Sequence, residues 1–168
     1  MKQFLLRAQK GFTLIEILIV IGIIAILAAI VIIAINPAKQ FAQARNTQRE
    51  SNVNTILNAI GQNVADNKGV FTCGTVTLPP VATFDAAAGT LIGTDSGKID
   101  LTCLKDTYIP TAIPTDPGGT LSSGSVAAGT PGNTGYTVQV NSVGRVSVCA
   151  PNHAETSIPG ATTYCLTR

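Results

Sequence analysis

From Ile17 to Ile35 the chain runs through nineteen consecutive apolar residues, counting Gly22 and four alanines. Wound as an α-helix the run is roughly 28 Å long, against a bilayer hydrocarbon core of roughly 30 Å. A helix of that length on a soluble domain keeps a polar face, and this one has none. The run predicts a membrane-spanning helix. The chain has 168 residues, so the remainder is of a size for one compact domain.

Ahead of the run, Met1 to Gly11 is short and polar, with Lys2, Arg7 and Lys10 and no acid. The chain as a whole carries +2, from eleven Lys and Arg against nine Asp and Glu. Without that leader the count is eight against nine, or −1. The basic balance therefore belongs to a targeting segment, and no direct nucleic-acid binding is predicted. Lys39, Arg45 and Arg49 follow the run, so the positive-inside count is close to a tie. The cysteines break it. Cys73, Cys103, Cys149 and Cys165 all lie downstream without C-x-x-C spacing, and only His153 is there to supplement them in a zinc site. Two disulfides in an oxidising compartment is the better reading, with the body outside and the leader inside. Four cysteines allow three connectivities. Loop length favours the neighbours, Cys73–Cys103 and Cys149–Cys165, with separations of thirty and sixteen residues.

Past Asn36-Pro37 the pattern is that of an amphipathic helix. Val53, Ile56, Leu57, Ile60 and Val64 recur at spacings of three and four, with Arg45, Arg49, Asn52 and Asn63 read as lying elsewhere on the wheel. Asn67-Lys68-Gly69 reads as the helix stop. Pro37 lacks the donor that a continuous helix needs, which predicts a kink or a locally unwound turn. Val70–Leu78 and Ile99–Leu104 read as strands. Tyr136–Val140 and Arg145–Cys149 alternate and are joined by Asn141–Gly144 as a hairpin, with a last short strand over Thr162–Leu166. Ala86–Gly97 and Pro110–Thr134 are loops by composition, the second rich in Ser, Thr and Gly from Thr120 on. No Asn-x-Ser/Thr site occurs. The expected fold is α+β: a long N-terminal helix, apolar then amphipathic, packed on a small antiparallel sheet. Its segments are a leader (1–11), a transmembrane or filament-core helix (12–36), an amphipathic half (37–69) and a β-rich head (70–168), with 37–168 together forming the globular domain.

Glu16 stands two residues into the apolar stretch that opens at Leu14, where an ionised carboxylate without a partner costs at least a few kcal/mol. No Lys or Arg within the span neutralises it. With Lys10-Gly11-Phe12-Thr13-Leu14-Ile15-Glu16 ahead of that run, the segment resembles the leader junction of type IV pilins and of the pseudopilins of type II secretion. The resemblance is specific over about Lys10 to Ile35. It implies cleavage by a prepilin peptidase between Gly11 and Phe12, N-methylation of Phe12, and a role for Glu16 in assembly, paired with the Phe12 amine of a neighbouring subunit. It further implies a homopolymer handled by pilus or secretion machinery in the cytoplasmic membrane. The precursor would be single-pass with its head outside, and the product an extracellular filament. The stretches Ile109–Pro117 and Tyr136–Val146 are a softer match to pilin heads. Some pseudopilins bind calcium, and Asp116 lies in a loop placed to contribute, but one acid is not a site and no cofactor or metal is assigned.

Three other readings fit less well. A secretory signal peptide would have a shorter apolar run and no Glu16. A plain membrane anchor carrying a binding domain leaves the Lys10–Glu16 pattern to chance. An enzyme would need more than His153, a loop residue beside Pro151 with no nucleophile partner or Gly-rich phosphate cradle in view. The reading is a non-catalytic subunit of a type IV pilus-like filament for adhesion, motility or DNA uptake, with the major pseudopilin of a secretion system as the alternative.

Overall fold

The computed structural model describes residues 11–78, 89–121, 124–126 and 128–168. The basic residues of the leader lie outside them, as does the first part of the loop read at Ala86. The chain divides into two compact units, one ending at Pro37 and one running from Ala38 to Arg168.

The first unit is helix α1 (Leu14–Ala34). Every side chain from Leu14 to Ile32 is exposed, and this stretch is long and apolar enough to cross a membrane. The helix stops before the proline. Ile35 is extended at φ −101° and ψ 114°, and Pro37 is the first residue of α2 (Pro37–Asp66). A proline disfavours helical backbone in the residue before it, yet suits the first position of a new helix, where its missing N–H has no partner to lose.

In the second unit α2 lies against an antiparallel sheet of four strands in the order β1 (Thr90–Leu91), β4 (Thr137–Val140), β5 (Val146–Ala150), β6 (Tyr164–Thr167). A separate hairpin joins β2 (Gly119–Leu121) to β3 (Gly124–Val126). Val53, Ile56, Leu57 and Ile60 of α2 form one buried cluster with Val138, Val148 and Ala150 of the sheet and with Ile92, Leu101, Leu104 and Ile109 from the connections. Burying each such side chain contributes about 1.5–3 kcal/mol. Val138 pairs with Val148, so alternation puts both on the helix side. Thr137, Gln139 and Ser147 on the opposite side are buried as well.

The β4–β5 hairpin forms where alternation predicts it, and the last strand forms as β6, shifted to Tyr164–Thr167. Elsewhere the strand reading is corrected. Val70–Leu78 holds only an isolated bridge between Cys73 and Val76, and Thr102–Leu104 is a 3-10 turn. Both segments are docked by other means. The Asn63 side chain accepts from the Thr72 N–H at 2.9 Å and donates to the Thr72 carbonyl at 3.0 Å, doing for that backbone what a neighbouring strand would do. A disulfide joins Cys73 to Cys103, with 5.6 Å between Cα atoms. Conversely, β1, β2 and β3 occupy stretches read as loops, because strands of two or three residues rich in Gly and Thr are too short to show a period.

Helix α2 ends in a Schellman arrangement, with the Gly69 N–H bonded to the Val64 carbonyl at 2.8 Å. Its left-handed residue is Lys68, at φ 59°, with Gly69 following at φ 92°. A side chain in that conformation costs about 1 kcal/mol relative to glycine. Lys68→Gly is therefore expected to stabilise the protein by about 0.5–1 kcal/mol, read as a higher thermal midpoint of the detergent-solubilised chain, with Lys68→Ala giving no such gain.

Candidate functional site

Gly11 and Phe12 precede the helix in irregular, exposed backbone, and Phe12 is 76% exposed. Thr13 is the N-cap of α1, and its hydroxyl accepts from the Glu16 N–H at 3.3 Å. Thr-x-x-Glu ahead of an apolar run is the spacing of a capping box, a signal for the helix start that reading Glu16 as an isolated acid overlooks. In the first turn a carboxylate also faces the positive end of the helix dipole. The Glu16 side chain is exposed, like its apolar neighbours.

A second constellation lies in the other unit. Arg49 of α2 is fully buried. Its Nε and Nη2 donate to the two carboxylate oxygens of Asp116 at 2.9 and 3.1 Å, and its Nη1 donates to Glu155 Oε1 and to Asn46 Oδ1, both at 2.7 Å. The Gly118 carbonyl accepts another of its hydrogens. Arg45 completes the network with Nε and Nη2 on the two oxygens of Glu155, at 2.7 and 2.8 Å. Burial alone would lower the Arg49 guanidinium, but the bonds to Asp116 and Glu155 prevail and raise it above its ordinary value. Arg45 is raised too, chiefly by its bond to Glu155. Next along the helix, Asn52 donates to the Tyr136 hydroxyl at 2.8 Å and to the Thr115 carbonyl at 3.2 Å. Burial pushes the Tyr136 phenol up to about 12, against the opposite pull of that amide.

The helical-wheel reading is corrected here: Arg49, Asn52 and Asn63 are buried and face the core. The signal was in the spacing, since Ala42, Asn46, Arg49, Val53, Ile56 and Ile60 advance by three and four along one stripe. Polarity hid it, because a buried cation is legible only once its carboxylates, 67 and 106 residues away, are in place. Asp116, the acid considered for calcium, spends both oxygens on Arg49 and receives the Gly118 N–H at 2.7 Å. Among the described residues no group of three His, Cys, Asp or Glu is placed to hold a metal ion. The second disulfide joins Cys149 to Cys165, directly opposite each other on β5 and β6 with 4.1 Å between Cα atoms.

A family described as the prokaryotic N-terminal methylation motif matches residues 6–34. No curated protein and no solved structure matches the chain. The motif is the one that type IV pilins and pseudopilins carry in their class III signal peptides. That motif implies processing by a prepilin peptidase and assembly into a pilin-type filament, and it belongs to a structural class of proteins.

Two outcomes are expected from the charge network and its neighbour. Arg49→Met leaves the buried Asp116 carboxylate without its cation, while Glu155 keeps Arg45, and is expected to cost about 3–5 kcal/mol, part of it recovered by adding Asp116→Asn; unfolding curves of the solubilised chain measure both. Tyr136 has its folded value above its unfolded value of 10. Its contribution is thus fully present below pH 10 and declines as pH rises toward 12, by about 1.4 kcal/mol per unit. Unfolding midpoints between pH 9 and 11 should fall in the unmodified chain and fall less in Tyr136→Phe.

Proposed function

We propose that the chain is the structural subunit of an extracellular type IV pilus-like filament, cut between Gly11 and Phe12, methylated on Phe12 and polymerised through α1. One observation carries the reading. Glu16 is an exposed acid at the head of a helix whose described surface is otherwise apolar and exposed, within the matched methylation motif. The scissile bond precedes the Thr13 cap in exposed, irregular backbone, which suits a peptidase better than a helical bond would.

Cleavage creates an α-amine at Phe12, a cation at the edge of an apolar surface. The carboxylate of Glu16 in one subunit then pairs with the amine of its neighbour and sets their axial stagger. While subunits stand in lipid, burying apolar side chains against each other adds little, and packing and the ion pair drive association. Outside the membrane the same surface facing water is strongly unfavourable, so the filament core holds together cooperatively. The two disulfides suit a head exposed to an oxidising exterior.

Glu16→Val tests the mechanism. Mass spectrometry of membranes should find the variant still cut at Phe12 and methylated, while electron micrographs of sheared cell surfaces show filaments reduced at least tenfold. Normal filament numbers with valine at that position would refute the pairing.

A further inference from the structure

His153 closes the short 3-10 helix that follows β5 and is the single imidazole of the chain. Its ring lies between two oxygens. Nδ1 is 2.9 Å from the main-chain oxygen of Thr162, and Nε2 is 3.1 Å from Oε1 of Glu50 on α2. A carbonyl oxygen only accepts, so Nδ1 carries a hydrogen. An ionised carboxylate only accepts as well, so Nε2 must carry one too, or else the carboxyl itself is protonated and donates. Either way the two bonds together hold one proton more than a neutral ring beside a carboxylate.

Among the described residues the surroundings supply no other titratable partner for that proton. The Tyr164 ring of β6 lies 5.4 Å away, centroid to centroid. The groove on the helix side is lined by Gln43, Asn46, Thr47, Glu50 and Ile158, of which only Glu50 titrates. Arg45, Arg49, Glu155 and Asp116 lie beyond Asn46 and are bonded among themselves. The His153 carbonyl accepts from Asn46 Nδ2 and from the Glu155 N–H, both at 2.9 Å. One residue thus ties α2 to the loop that delivers Glu155 and to the segment entering β6.

We propose that His153 and Glu50 form a proton-operated clip fastening the loop closed by Cys149–Cys165 to α2. With the extra proton both bonds form. Without it one ring nitrogen turns a lone pair toward an oxygen, and the loop over residues 151–162 loosens. The clip therefore closes as a proton is gained and opens as it is lost. The device does not depend on filament assembly.

Amide hydrogen exchange of the full chain in detergent, corrected for the intrinsic pH dependence of exchange, tests it. The reporters are the N–H groups of Glu155, Ile158 and Ala161, bonded to the carbonyls of His153, Glu155 and Ile158. Their protection is expected to fall about 3- to 10-fold from pH 5.5 to pH 8.0, with Val138 and Val148 unchanged, the loop opening locally while the sheet stays closed. In His153→Gln the pH dependence should vanish. Glu50→Gln is the sharper variant. Its amide can donate to a neutral ring while Nδ1 keeps Thr162, so protection at pH 8.0 should stay at the pH 5.5 level. Equal protection at both pH values in the unmodified chain would overturn the clip, as would a Glu50→Gln variant that keeps the unmodified chain's pH dependence.

Discussion

The guanidinium of Arg49 is buried among two carboxylates, a side-chain amide and a backbone carbonyl, and much of the larger unit is arranged to make that burial tolerable. A desolvated cation needs its countercharges at hydrogen-bond distance. Asp116 and Glu155 come from loops far apart in the chain, so both loops must converge on the same turn of α2. Glycines follow from the crowding. A Cβ on Gly119, at φ +148°, would come within 2.3 Å of Glu155 Oε1, and one on Gly135 within 2.8 Å of Asp116 Cβ. Both are positions where a side chain would push into the network.

Three kinds of interaction succeed one another along α2. Residues 45–52 are held by charge and amide hydrogen bonds, directional contacts that fix the helix's rotation and register against the loops. Residues 53–60 are held by apolar burial, which supplies most of the energy and tolerates small displacements. Asn63 and the Lys68–Gly69 cap then turn the chain back, and the Cys73–Cys103 bridge ties the returning segment to the connection ahead of Leu104. The core of a domain this size is modest, and each bridge contributes about 3–4 kcal/mol if its effect is taken as lost freedom of the unfolded chain.

The smaller unit obeys different physics. Nothing in α1 between Leu14 and Ile32 is buried, and no polar face offers water a partner. Such a helix requires lipid or other protein around it. Glu16 and the Thr13 cap concentrate its polar chemistry at one end, within a methylation motif that matches residues 6–34. The polar chemistry of this unit is thereby confined to a short segment, while in the globular unit the buried charges of Arg49, Asp116 and Glu155 are paired with one another.

How far the sequence could be read depended on the range of the interactions involved. The apolar run, the break around Pro37, the hairpin at Asn141–Gly144 and the leader junction were legible because each rests on neighbours in the chain: hydropathy, a missing N–H, strand alternation, a short motif. Docking of Val70–Leu78 through Asn63, the strands at Thr90 and Gly119, and the inward turn of Arg49 and Asn52 were decided only by tertiary structure. A lone polar residue on a helix reads as solvent-facing until its partners are known. Those partners lie scores of residues away, and folding alone brings their countercharge close enough for a cation to leave water.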